Sequence, residues 1–313
     1  MSKLAFIFPG QGSQEVGMGM DARDAFGAAA HIYEQADHAL GFSLTSLIEN
    51  GPADVLTETK NTQPALLATS VAYLTLLQNK GVTPDFTAGH SLGEYSALVA
   101  SGALSFETAI ALVRKRGELM EKAVPNGEGT MAAVLGMEST ELNELAANIS
   151  AEGDAVQLAN INCPGQIVIS GTVAGVQKLS ERAKEAGAKR VLPLTVSGPF
   201  HSSLMQPAAE HFRNELSESH FSNANIPVIS NVDAKPVTDA EVIKEKLVEQ
   251  LYSPVQWEES VKYLLNEGVT SFVEIGPGKV LSGLVKKINR SAQVYQVNSL
   301  AGLEQTLEAV KGG

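Results

Sequence analysis

A serine with a glycine two residues away on each side, Gly89-His90-Ser91-Leu92-Gly93, constrains this chain more than any other stretch. Pro84-Asp85-Phe86-Thr87-Ala88-Gly89 reads as a short strand entering a turn, and the residues from about Leu92 read as a helix. A serine at the apex of a sharp strand-to-helix turn matches the G-x-S-x-G nucleophile elbow of α/β folds. Glycines at those two positions let backbones approach where a side chain would not fit. The helix aims its free N–H groups and positive dipole end at the serine, so the Leu92 N–H can bind an oxyanion. The competing reading is a chance match in an ordinary turn; the strand on one side and helix on the other favour the nucleophile. The elbow alone leaves the acyl acceptor open between water and a second nucleophile.

The rest of the chain fits such a core. An apolar run, Leu4 to Phe8, feeds the turn Pro9-Gly10-Gln11-Gly12, and helical patterns follow at Ala22–Leu40, Pro64–Gln78 and from Ser105, a candidate N-cap, to about Ala123. After the break Pro125-Asn126-Gly127 the texture changes. Strand Thr130–Leu135, helix Ser139–Ser150, strands Ala155–Ile161 and Gln166–Ser170, helix Val173–Ala186 and strand Lys189–Val196 give β-α-β-β-α-β, the ferredoxin-like order. Beyond it come helix Met205–Leu216, strand Ile226–Ser230, helices Asp239–Leu251 and Val261–Glu267, strand Ser271–Ile275, the turn Gly276-Pro277-Gly278 and helix Lys279–Ile288. The expected fold is α/β: an α/β-hydrolase-like parallel-sheet core, residues 1–126 and 198–313, with an inserted ferredoxin-like small subdomain at 127–197.

Bulk properties narrow the function. The net charge of −12 disfavours nucleic acid and anionic lipid as partners. The single cysteine, Cys163, rules out a disulfide framework or a cysteine zinc cluster and fits a reducing, cytoplasmic compartment. The apolar run within Met1–Pro9 is too short for a signal peptide, and no stretch approaches the 18 apolar residues of a membrane span. No metal or bound cofactor is expected.

A second oxyanion donor is sought in Phe8-Pro9-Gly10-Gln11-Gly12-Ser13-Gln14. A dinucleotide fingerprint would need glycine at Glu15, and a phosphate loop would need lysine where Met18 stands. A loop presenting the Gln11 N–H, or a plain tight turn, remains. Among the six histidines, His31 and His38 lie on an amphipathic helix, His211 and His220 in polar stretches, and His90 beside Ser91, where neighbouring side chains point apart. His201 follows a strand and the turn Ser197-Gly198-Pro199-Phe200, where folds of this class keep their sites, and is the candidate base. No acid between Ser91 and His201 stands at a strand end, which points away from an ordinary esterase. Arg116 has Leu112, Val113, Leu119 and Met120 as helical neighbours, so it faces the core side. There it needs an anion: an internal partner, or a substrate carboxylate held by its fork.

These motifs stand in order together with Arg116-Gly117, Phe200-His201-Ser202, Asn231-Val232-Asp233, Gln250-Leu251-Tyr252-Ser253-Pro254-Val255-Gln256-Trp257 and Glu274-Ile275-Gly276-Pro277-Gly278. The chain closely resembles the malonyl-CoA:acyl carrier protein transacylases of the bacterial stand-alone type, over essentially its whole length. The resemblance implies ping-pong transfer of malonyl through Ser91, with His201 as base, the Gln250 carbonyl orienting that histidine in place of an acid, and Gln11 and Leu92 forming the oxyanion hole. It implies Arg116 as the holder of the malonyl carboxylate, Asn160 and Asn162 on the small-subdomain side of the cleft, and Phe200 as part of a malonyl-selective pattern from which Gly198-Pro199 departs. The implied partners are malonyl-CoA and an acidic acyl carrier protein, whose phosphopantetheine belongs to the carrier; Lys189, Arg190, Lys286, Lys287 and Arg290 are candidate docking residues on a monomer. A thioesterase on the same elbow and a non-catalytic binder of carrier or coenzyme A are the alternatives.

Overall fold

The structure, a computed structural model, describes residues 3–125 and 127–311; Asn126, at the expected domain break, and the expected chain limits at 1 and 313 lie outside them. Among the described residues, ten strands form two sheets. The larger contains β1 (Lys3–Phe8), β2 (Phe86–Gly89), β7 (Val228–Ile229), β8 (Pro236–Val237), β9 (Val269–Ile275) and β10 (Gln293–Val297), in the order β10-β9-β1-β2-β7-β8. All its pairs are parallel except β7 with β8. Phe8 is level with Gly89, and Ile7 with both Ala88 and Glu274, so the loops leaving β1, β2 and β9 gather at one end. Parallel strands buried on both faces read as continuous apolar runs, and β1 shows why: Phe6 and Phe8 pack with helix Thr59–Asn79 on one face, Ala5 and Ile7 with Trp257 and Leu284 on the other. Each fully buried phenylalanine contributes roughly 1.5–3 kcal/mol.

The smaller sheet holds β3 (Gly129–Leu135), β4 (Val156–Cys163), β5 (Gln166–Thr172) and β6 (Arg190–Pro193), antiparallel throughout, in the order β4-β5-β3-β6. Its two helices, Ser139–Ala151 and Val173–Glu185, cover one face: Leu142, Ile149, Val176 and Leu179 meet Val134, Leu158 and Ile169. The alternate residues Met131, Ala159 and Val168 join the core of the large unit instead. β4 is the seam. Ile161 N–H donates to Val255 O (2.9 Å) and Val255 N–H to Ala159 O (2.8 Å). Gln157 Nε2 donates to the carbonyls of His201 and Tyr252.

Several elements depart from the sequence expectation. The helix expected over Ala22–Leu40 is two, Met20–Ala25 and Gly27–Leu40, divided at Phe26, whose backbone is extended. The helix expected from Pro64 begins at Thr59 and runs through that proline. Proline cannot donate to the carbonyl four residues back; the freed Lys60 carbonyl accepts from Arg114 Nη1 instead (3.1 Å). β6 is four residues long rather than eight, and β8, β10 and helix Leu300–Lys311 were not anticipated. Among the described residues no helix is long and apolar enough to cross a membrane.

Candidate active site

The elbow is built on main-chain contact. Ser91 has φ 50°, a left-handed conformation that non-glycine residues rarely adopt. A Cβ at Gly89 would lie 1.9 Å from the Gly93 carbonyl, and one at Gly93 would lie 2.1 Å from Phe8 O. Gly10 is equally tight, its Cβ position being 2.4 Å from His90 O. The loops after β1 and β2 therefore touch backbone to backbone. Asn231, 140 residues beyond Ser91, clamps the turn: its Oδ1 accepts from Ser91 N–H and its Nδ2 donates to Gly89 O, both at 2.7 Å. The helix Gly93–Ala100 starts immediately after.

His201 closes over the serine, also at positive φ (56°) and with 4% exposure. Its Nε2 is 2.7 Å from Ser91 Oγ, and its Nδ1 is 2.8 Å from the main-chain carbonyl of Gln250. A carbonyl only accepts, so Nδ1 carries the proton and Nε2 is left to accept the Ser91 hydroxyl. Burial, and next the charge of Arg116, pull the imidazole down to about 3, so it rests neutral.

Arg116, from helix Phe106–Lys122, is 1% exposed and reaches the same point. Its Nη2 donates to Ser91 Oγ (3.1 Å) and Gln250 Oε1 (2.9 Å), and its Nη1 to Gln63 Oε1 (2.9 Å). Among the described residues its Nε has no partner and no carboxylate pairs with it directly. The core-side placement read from the sequence holds, but its internal partners are amide and hydroxyl oxygens rather than an anion. Burial is the main influence lowering its guanidinium from the usual value; an arginine nonetheless keeps its charge.

These groups border a cavity of about 130 Å³ lined by Gln11, Ser91, Leu92, Arg116, Asn160, Phe200 and His201, with His90 and the apolar Met120, Met131, Leu194 and Val196. Asn162 does not line it; its Oδ1 pairs with His90 Nε2 at 2.8 Å, and Trp257 packs at a tilt against that imidazole. The side chain of Gln11 donates to Thr59 Oγ1. Sequence reasoning missed Gln63, and assigned no role to Glu94, which follows the elbow motif, to Asn231 or to the Gln250 side chain. The one signal available was that a buried Arg116 must have polar neighbours. Lys189, Arg190, Lys286, Lys287 and Arg290 are all exposed and away from the cavity. Lys287 Nζ donates to Gln166 Oε1 (2.8 Å), while Lys189 lies over Gly136, whose N–H bonds Gly165 O. Lys189 and Lys287 thus both border the β4–β5 turn. Among the described residues no group of three or more His, Cys, Asp or Glu side chains is placed to hold a metal ion.

The acyl transferase domain family matches residues 5–310. A malonyl CoA-acyl carrier protein transacylase of Bacillus subtilis (strain 168) is 57% identical over 311 residues, covering 99% of this chain and 98% of the relative. A crystal structure of an acyl carrier protein S-malonyltransferase from Vibrio cholerae O1 biovar eltor superposes with a TM-score of 0.95 at 46% identity, covering 97% of this chain and all of the other. A malonyl-transacylase solved in complex with its type II PKS acyl-carrier protein gives 0.96 at 44% identity, covering 98% and 100%. An elbow serine, a histidine held by a carbonyl, and this likeness over nearly the whole chain lead to one assignment: the chain belongs to the malonyl CoA-acyl carrier protein transacylase family of acyltransferases.

Proposed function

We propose that the chain transfers malonyl from malonyl-CoA to the phosphopantetheine thiol of an acyl carrier protein, supplying fatty acid elongation. The observation that carries this reading is the convergence on Ser91 Oγ of His201 Nε2 and Arg116 Nη2, a base and a buried cation at one hydroxyl. A base alone suits any acyl transfer; a buried fork beside it suits an acyl group with a free carboxylate.

Ser91 Oγ attacks the thioester carbonyl as His201 Nε2 takes its proton. The tetrahedral oxygen is held by the N–H groups of Gln11 and Leu92, which flank the cavity; losing one such donor costs roughly 3 kcal/mol of barrier. The C–S bond breaks, the proton passes from His201 to the coenzyme A sulfur, and malonyl stays on Ser91. The carrier thiol then gives its proton to His201, attacks the ester carbonyl, and leaves with malonyl as Ser91 recovers the proton. The malonyl carboxylate contributes twice: it meets Arg116, and by offsetting that charge it removes one of the two main influences depressing His201, returning basicity when the acyl group is in place. Phe200, Asn160 and the small subdomain, residues 127–197 in ferredoxin-like order, cover the cleft and limit water, while residues 1–126 and 198–313 supply the machinery. Asn162 acts through His90.

The carrier, acidic as a class, docks on the basic group of Lys189, Arg190, Lys286, Lys287 and Arg290. The enzyme works as a cytoplasmic monomer with no resident cofactor. Intact-mass analysis after mixing with malonyl-CoA tests the reading. A malonyl adduct lost in Ser91→Ala and discharged by holo carrier protein is expected; rapid discharge by water alone would make the chain a thioesterase, and absence of any adduct a binder.

A further inference from the structure

Glu94 is a buried carboxylate that the mechanism above does not use. It is 3% exposed, in the first turn of the helix that follows Ser91. Among the described residues it forms no ion pair. Its Oε2 accepts from Gln250 Nε2 (2.7 Å) and from Asn231 N–H (3.2 Å). A buried carboxylate with amide partners is costly unless a cation nearby balances it.

The cation is one amide away. Gln250 Oε1 accepts from Arg116 Nη2, and Gln250 Nε2 donates to Glu94 Oε2. The Gln250 side chain therefore lies between a positive and a negative group with its dipole aligned to both. An ionised carboxylate only accepts and a guanidinium only donates. Together they permit a single orientation of that amide, because the flipped one would set NH₂ against guanidinium and C=O against carboxylate. The same residue offers its main-chain carbonyl to His201 Nδ1, and Nε2 also reaches Ser91 O (3.0 Å).

We propose that Glu94 is a positioning residue for malonyl selection: acting through the Gln250 side chain, its carboxylate fixes Arg116 in the orientation that receives the substrate carboxylate. This rests on the reading of Arg116 given above. The Glu94 carboxyl stands raised to about 7: burial is the main cause and the nearby anion Asp233 adds to it, against the bonds from Gln250 and Asn231 and the charge of Arg116, which hold the rise down.

The test compares malonyl-CoA with acetyl-CoA as donors to Ser91, in the full chain, for Glu94→Gln alone and in an Arg116→Ala background. Glu94→Gln keeps the shape but can donate as well as accept, so it no longer dictates the amide orientation. The expected result is a drop of tenfold or more in kcat/KM for malonyl-CoA, mostly through KM, with acetyl-CoA changed less than threefold and the effect absent once Arg116 is alanine. Equal losses for both donors, an equal loss in both backgrounds, or no loss would overturn the proposal. Should Glu94→Gln fail to fold, Gln250→Met breaks the side-chain link and keeps the main-chain carbonyl; it must lower the malonyl-to-acetyl ratio by the same factor, and an unchanged ratio overturns the proposal. If the unaltered chain itself does not prefer malonyl over acetyl, the reading of Arg116 fails instead, which is a separate result.

Discussion

The two units bury different groups beside the cleft. The covered face of the small sheet is apolar, with Val134, Leu142, Ile149, Leu158, Ile169 and Leu179 among its members. The large unit buries Glu94, Arg116, Asn231 and Gln250 beside the elbow, each at 3% exposure or less. An aliphatic core tolerates volume-conserving exchange at little cost. A polar network does not, since every member left unpaired costs its full desolvation. The chain has placed its interchangeable packing on one side of the cleft and its fixed chemistry on the other, with β4 joining them.

That contrast can be broken most severely at a glycine. Gly93→Ala would drive a methyl into Phe8 O, and we expect loss of the folded elbow and of any acyl adduct, read by thermal unfolding and mass. Gly153, in the small unit, has open space around its Cβ position and φ 107°. Gly153→Ala should cost only about 1–2 kcal/mol of backbone strain and leave the adduct intact; equal damage from both would erase the distinction. Next in size is Arg116→Ala, expected to lower malonyl transfer by two to three orders of magnitude, roughly 3–4 kcal/mol at about 1.4 kcal/mol per factor of ten. Acetyl transfer should fall far less or rise, and a parallel fall would make Arg116 structural.

How far the sequence speaks follows the same division. Ser91 and its glycines were legible because the constraint is local: a turn, a strand before it and a helix after it. His201 followed from its place after a strand. The β-α-β-β-α-β order of the insertion was legible from alternating patterns, although β6 stops at Pro193, short of the expected Val196, with Leu194 N–H still donating to Met131 O (3.0 Å). The roles of Gln63, Asn231 and Glu94 were not, because their partners lie far off in the chain: Asn231 stands in a motif and Glu94 follows the elbow, but neither position says what it meets. Gln63 meets Arg116 across 53 residues, and Glu94 meets Gln250 across 156. Pro64 misled for a related reason: the partner that satisfies the freed Lys60 carbonyl, Arg114, lies 54 residues away.

Smaller effects sharpen the comparison further. His201, held down to about 3 from 6.5, stays neutral as pH falls through 6.5. The kcat/KM for an uncharged acyl donor, which reports the free enzyme, should therefore stay flat from pH 8 to about 5 rather than falling with a midpoint near 6.5. A midpoint there would mean that solvent reaches the imidazole. Stability behaves differently over the same range: with the folded value below the unfolded one, this histidine's contribution is fully present above 6.5 and is lost as pH falls toward 3. Smallest is the basic patch. Reversing Lys286 and Lys287 to glutamate on the large unit should raise KM for carrier protein by roughly three- to tenfold and spare that for malonyl-CoA. The Lys189→Glu change on the small unit tests whether both sides of the β4–β5 turn share the contact; equal effects on both substrates would remove docking from that face.

The contact between the β1 and β2 loops bears on motion as well as on shape. With Gly93 against Phe8 O and Gly10 against His90 O, the two segments carrying Gln11 and Leu92 cannot close further without main-chain overlap, and they cannot separate without breaking the hydrogen bond from His90 N–H to Phe8 O (3.0 Å). With the Gln11 and Leu92 N–H groups as the oxyanion donors proposed above, an acyl group passing from one thiol to another would meet the same pair on arrival and on departure.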